Sequence, residues 1–198
     1  MMIQNIILDI GNVLAAFCWE DYFKTFGFGG ATYEKLAQAT VLSPQWDEFD
    51  KGALTEEQVL ELFVANDPSV ENEIRKIHEN MKDIIEVYPY SIPWMEELKS
   101  KGFQVYILSN FSGKQYRECG EKLEFIKHAD DAILSFQEKQ VKPQPEIYET
   151  LLTRYQLNPS ECIFLDDKPQ NIIAARKAGM HGIVFRSFDQ AKEWLAGW

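Results

Sequence analysis

Cysteine and histidine are scarce, three of each in 198 residues. Cys18, Cys119 and Cys162 lie far apart and form no CxxC pair, which argues against a disulfide framework or a structural zinc site and fits a reducing, cytoplasmic setting. Bases are also short, with 20 Lys and Arg against 31 Asp and Glu. The net charge of −11 repels phosphate backbones and anionic bilayers over most of the surface, so neither nucleic acid nor a membrane is an expected partner. Long apolar runs are missing too. The amino-terminal stretch MMIQNIILDIGNVLAAF has no basic segment and is interrupted by Asp9, Gly11 and Asn12 before the roughly 20 apolar residues of a membrane span accumulate. Neither a signal peptide nor a spanning helix is expected. No repeat or low-complexity tract appears, and a hydrophobic content of 45% with 13% aromatics describes a chain that builds a core.

Five short apolar runs are present, at 3–8, 103–108, 132–134, 162–165 and 182–185. Rich in Ile, Val, Phe and Leu, they read as strands buried on both faces, the habit of parallel strands. Helical stretches lie between them: 92–101 ends at Gly102, Pro145 opens 146–155, and Pro169 opens 170–178 ahead of Gly179. Strand and helix in alternation predict an α/β doubly wound parallel sheet. The interval 15–88 breaks the alternation. It holds no strand-like run: Thr55 and Gln58 make a capping box, and Ile74, Ile77, Met81 and Ile84 share one helical face. An all-helical insert over 15–88, interrupting a core made of 1–14 and 89–198, is therefore expected.

Polar residues follow the strand runs at four places, where open α/β sheets hold their ligands. These are Asp9-Ile10-Gly11-Asn12-Val13, Ser109-Asn110, Lys142-Pro143 and Asp166-Asp167. Each has a bland reading as well: the acid pair as a helix cap, Lys142 as a surface lysine.

Together, ILDIGNV, YILSN, VKPQPEIY and IFLDDKPQNIIAARKAG resemble the four motifs of the haloacid dehalogenase-like hydrolase superfamily, and the insert resembles its type-one helical cap. The resemblance implies a Rossmann-like core with sheet order 5-4-1-2-3, which brings Asp9 and the Asp166-Asp167 pair to adjacent strand ends. It further implies Mg²⁺ held by Asp9, Asp167 and the Gly11 carbonyl, with Asp166 a ligand through water; hard oxygen donors suit that ion, and three crowded carboxylates repel one another without a cation. By the same resemblance Asp9 is the nucleophile that forms an aspartyl phosphate. Ser109 and the amides of Ile10, Gly11 and Asn110 bind the phosphoryl group, and Lys142 bridges it to Asp9.

One departure stands out. Most phosphatases of this family carry a second Asp two places after the nucleophile, the acid and base for the leaving alcohol and the water. Here that residue is Gly11. The DxGNV form resembles the branch that includes bacterial glucose-1-phosphate phosphatase, whose substrate has an easier leaving oxygen. The expected activity is therefore Mg²⁺-dependent hydrolysis of a small phosphomonoester, such as a sugar 1-phosphate. Hydrolytic 2-haloacid dehalogenation and phosphate binding with little turnover are the alternatives. Alternatively, the glycine answers a need for backbone freedom. Trp19, Tyr22, Phe23, Trp46, Asp47 and Asp50 are candidate cap contacts to substrate; His78, His128 and His181 read as surface or structural residues.

Overall fold

The computed structural model describes residues 2–197. A five-stranded parallel sheet is built from β1 (Asn5–Leu8), β4 (Gln104–Ser109), β5 (Asp131–Leu134), β6 (Cys162–Asp166) and β7 (His181–Val184), in the order β5-β4-β1-β6-β7. Counted among the core strands alone, that is the expected 5-4-1-2-3. Each expected strand forms to within two residues of its predicted limits.

Alternation along the central strands sorts the core into two layers. Ile6, Leu8, Ile107, Ile163 and Leu165 face one way, onto Trp94, Met95 and Leu98 of a helix at Ser91–Ser100 and Ala191 and Leu195 of the last helix at Phe188–Leu195. Ile7, Leu108 and Phe164 face the other way, onto helices at Pro145–Arg154 and Pro169–Lys177. Pro145 and Pro169 sit in the first turn of those two helices, where no backbone donor is lost.

In chain order the helices are α1 (Trp19–Lys24), α2 (Gly30–Ala39), α3 (Gln45–Lys51), α4 (Glu56–Asn66), α5 (Glu71–His78), α6 (Ser91–Ser100), α7 (Gly113–Cys119), α8 (Ser135–Glu138), α9 (Pro145–Arg154), α10 (Pro169–Lys177) and α11 (Phe188–Leu195). The first five form the insert. The Thr55–Gln58 capping box opens α4 as expected.

Two expectations are corrected. The insert is not wholly helical: β2 (Ala15–Phe17) and β3 (Ile85–Val87) pair antiparallel at its root. Three residues are too few to show a period of two, so this ribbon left no pattern in the sequence. In addition, α5 stops at His78, so Met81 and Ile84 lie beyond it although both remain buried. Asn80 turns the chain there, its side-chain oxygen accepting from the Lys82 amide at 3.1 Å. No helix among the described residues is long and apolar enough to cross a membrane.

Candidate active site

The in-register pairing of β1 with its neighbours decides where the polar residues fall. Leu8 lies opposite Ile107 of β4 and Leu165 of β6, so Asp9 and Asp166 emerge together at the carboxyl edge, with Ser109 closing β4 two residues beyond Ile107. The Asp9 amide donates to the Leu165 carbonyl at 3.0 Å, fixing Asp9 beside Asp166.

Lys142 ties this edge together. Its ammonium, with the side chain 1% exposed, lies 2.8 Å from Asp9 Oδ1 and 2.7 Å from Asp166 Oδ2. It also donates to the Leu108 carbonyl at 2.9 Å and sits 5.2 Å from the centre of the Phe164 ring. A buried ammonium with this partner set is no surface lysine. Burial alone would depress its pKa, but Asp166 and Asp9 outweigh it and the net direction is upward.

Asp166 is fully buried, and its two oxygens accept from Lys142, from the Lys168 amide at 2.8 Å and from Asn171 Nδ2 at 3.0 and 2.9 Å. It therefore does more than cap a helix. Asp167 is more open and accepts from Asn12 Nδ2 at 2.9 Å. Burial, and after it the Asp166 charge, push the Asp9 carboxyl up to about 7, while Lys142 and a Ser109 hydrogen bond pull it down. Burial is what raises the group, since the Lys142 charge outweighs that of Asp166.

Asp9, Asp166 and Asp167 each place a carboxylate oxygen within 4.8 Å of the other two. An all-oxygen donor set with surplus negative charge fits a hard dication of the Mg²⁺ type.

A cavity of about 110 Å³ opens directly over these groups. Asp9, Ile10, Gly11, Asn110, Lys142 and Asp167 all line it, while Ser109 and Asp166 lie buried behind that surface. The Ile10 amide donates to Asp9 Oδ1 at 2.8 Å, orienting that carboxylate. Gly11 does not have the positive φ that favours glycine, and a Cβ added there would meet no described atom beyond its chain neighbours within 4 Å. Neither conformation nor crowding thus accounts for the glycine; the left-handed residue of the loop is the next one, Asn12, with φ 56°.

Of the six cap candidates, Trp46 and Asp50 line the cavity. Trp19, Tyr22 and Phe23 pack within the insert, where Trp19 stacks on Tyr33 and the Tyr22 hydroxyl donates to the Ile77 and Asn80 carbonyls. Asp47 lies outside the lining. His78 is buried between Phe49 and Phe63 and is structural; His128 pairs with Glu96 at 2.7 Å.

Three asparagines matter in ways that were not foreseen. Asn12 holds Asp167 and also accepts from the Phe17 amide at 3.2 Å, joining the loop to the ribbon. Asn171 grips Asp166, as above. Asn110, expected to serve through its amide, exchanges side-chain bonds with the Lys142 backbone at 2.9 and 2.8 Å, and so sets the lysine's place. All three stand inside or beside the recognised motifs; the partners of Asn12 and Asn110 are remote in sequence, whereas Asp166 lies only five residues from Asn171.

A buried, hydrogen-bonded carboxylate, a buried cation and a three-acid cluster at the carboxyl edge of a doubly wound sheet, under a largely helical insert, are the arrangement of a hydrolase of the haloacid dehalogenase type. Residues 3–179 match the haloacid dehalogenase-like hydrolase family, and the chain belongs to it. It is 25% identical over 177 residues to a sesquiterpene phosphatase of Aspergillus oryzae, covering 89% of this chain and 87% of that protein. It is 27% identical over 133 residues to a phosphorylated carbohydrates phosphatase of Thermotoga maritima, covering 64% of this chain and only 62% of that protein. The fold is shared with a haloacid dehalogenase family enzyme of Bacteroides thetaiotaomicron crystallised with magnesium and inorganic phosphate, at TM-score 0.70 and 21% identity, covering 94% of this chain and 96% of that one.

Proposed function

We propose that the protein is a Mg²⁺-dependent phosphatase that hydrolyses a small phosphomonoester, such as a sugar 1-phosphate, through an aspartyl phosphate on Asp9. The observation that carries this reading is the Asp9 carboxylate, held at the cavity floor by Lys142 and the Ile10 amide and grouped with Asp166 and Asp167. Its second oxygen is left to attack phosphorus. Lys142 steadies the nucleophile and lends positive charge beside the transferring group. Asp9, Asp167 and the Gly11 carbonyl would hold the ion, with Asp166 behind them. When bound, Mg²⁺ neutralises phosphoryl oxygens against the attacking anion.

The lining supports this substrate class. Trp46 and Phe17 line the cavity, aromatic side chains of the kind that pack against a sugar ring, and the cavity is smaller than the roughly 300–1,000 Å³ of sites that enclose drug-sized ligands. Both of these relatives are named as phosphatases, one of them of phosphorylated carbohydrates. Haloacid dehalogenation is the poorer fit, because an anionic 2-haloacid would face three carboxylates with one lysine to offset them. The soluble phosphoester is the only partner this reading requires, and a cytoplasmic location accords with three free cysteines.

The test is hydrolysis of p-nitrophenyl phosphate, glucose 1-phosphate and glucose 6-phosphate with Mg²⁺ and with EDTA, for wild type and Asp9→Asn. Turnover should need Mg²⁺ and fall by at least about 10³-fold in Asp9→Asn, the scale of a lost nucleophile. Full activity in EDTA, or an Asp9→Asn rate within about tenfold of wild type, overturns the reading.

A further inference from the structure

We propose that Asp50, on α3 of the insert, is the proton donor and acceptor that replaces the carboxyl group missing at position 11; the inference rests on the phosphatase reading above. Three observations meet at this residue. Asp50 is only 7% exposed, yet it lines the cavity that holds Asp9 and Gly11. Its Oδ1 has no hydrogen-bond partner among the described residues. The space beside Gly11 that a second carboxyl would fill is open for 4 Å around the Cβ position.

A buried carboxyl group without a partner is costly to keep, and such groups are commonly retained for chemistry. Asp50 is also held in place. The Ser135 hydroxyl, at the end of β5, donates to the Asp50 carbonyl at 2.6 Å and accepts from the Phe111 amide at 2.8 Å. Two residues on, Gly52 closes α3 with φ 62°, and a Cβ there would stand 3.0 Å from Phe136 Cβ, so α3 is seated against α8. The charged groups around Asp50 are Lys168, Asp47, Asp9 and Lys142. Burial is the main influence, and with Asp47 and Asp9 it pushes the carboxyl up to about 8 against the two lysines, keeping a proton on it at neutral pH.

The chemistry balances without a further reagent. Asp9 attacks phosphorus; the bond from phosphorus to the leaving oxygen breaks, and that oxygen takes the Asp50 proton to give the free alcohol. Water then attacks the aspartyl phosphate and passes one proton to the Asp50 carboxylate. The bond between phosphorus and Asp9 breaks, restoring both carboxyl groups and yielding inorganic phosphate.

The experiment compares wild type, Asp50→Asn, Asp50→Glu and Asp50→Asn/Gly11→Asp on glucose 6-phosphate and p-nitrophenyl phosphate with Mg²⁺. Asp50→Asn keeps the backbone carbonyl that Ser135 holds, and its melting temperature checks the fold. On glucose 6-phosphate, kcat should fall about 10²- to 10⁴-fold with KM changed less than about threefold. The nitrophenolate leaving group needs no proton, so the same variant should give a burst of one nitrophenolate per active site, followed by slow turnover limited by unassisted water attack. Asp50→Glu, and Gly11→Asp in the Asp50→Asn background, should each recover at least about tenfold on glucose 6-phosphate, a fraction of the full acid–base effect. A kcat for Asp50→Asn within about threefold of wild type overturns the proposal, given the size expected of an acid–base residue. So does a loss confined to KM, which would mark a binding contact, or an equal loss on both substrates without a burst. If the wild type hydrolyses neither ester, the phosphatase reading itself falls, and this proposal with it.

Discussion

Replacing Lys142 by methionine isolates the central electrostatic contact. Methionine fills much the same volume against Phe164 but leaves the buried carboxylates of Asp9 and Asp166 facing each other without the ammonium at 2.8 and 2.7 Å. Removing one partner of a buried ion pair costs about 3–5 kcal/mol, because the survivor stays desolvated. Two survivors are left here, and partial protonation of Asp9 relieves some of the strain, so a loss of about 4 kcal/mol is expected at pH 7.5. For a chain of this length that lowers the melting temperature by about 8–16 °C. The assay is thermal unfolding in EDTA, repeated at lower pH, where the gap between variant and wild type should narrow as the abandoned carboxylates take up protons. Lys142→Met/Asp166→Asn should regain part of the loss. A single-variant loss below about 1 kcal/mol, the scale of an exposed pair, would refute the claim that Lys142 is the counter-ion of this site.

Two further predictions concern stability alone. Gly11→Ala should leave the fold intact and raise stability by about 0.4–1 kcal/mol, since φ is not positive there, the space is open and the unfolded chain loses freedom; a loss greater than 1 kcal/mol in urea unfolding would show that the loop needs glycine. Burial depresses the His78 pKa from 6.5 to about 4. The native state therefore resists a proton that the unfolded chain accepts, so the stability present above pH 6.5 is lost as pH falls towards 4, by up to about 3 kcal/mol. Urea midpoints at pH 7 and 4.5 should differ less for His78→Leu than for wild type, and equal differences would exclude His78 as the acid-sensitive group.

The sheet was legible because parallel strands buried on both faces show as unbroken apolar runs, and prolines and glycines marked the helix ends between them. Strand order came from family resemblance, since nothing in a period of two tells β1 that it lies between β4 and β6. Asp9, Lys142 and the acid pair were readable as motif residues. What Asn12 and Asn171 do was not: each is a short amide whose meaning lies in the carboxylate it touches, and for Asn12 that carboxylate is 155 residues away. Asp47 and Asp50 looked alike as acids of one short helix. Only packing separates them, turning Asp50 inward to a cavity wall and leaving Asp47 outside.

The Ser135 hydroxyl bears on how such proteins could be recombined. It accepts from Phe111 on the sheet side and donates, on the insert side, to the carbonyl of Asp50, 85 positions from the serine in sequence. The two chain crossings at the ribbon are therefore not the only seams between the parts. A chimera that transplanted a foreign insert at those crossings would leave the serine proton only the longer bond to the Phe111 carbonyl at 3.2 Å, unless the graft supplied a carbonyl at the same height. Exchangeability of the insert is thus limited by this bond and by those of Arg117 to Glu56 and Lys139 to the Gly52 carbonyl, which no choice of splice point preserves.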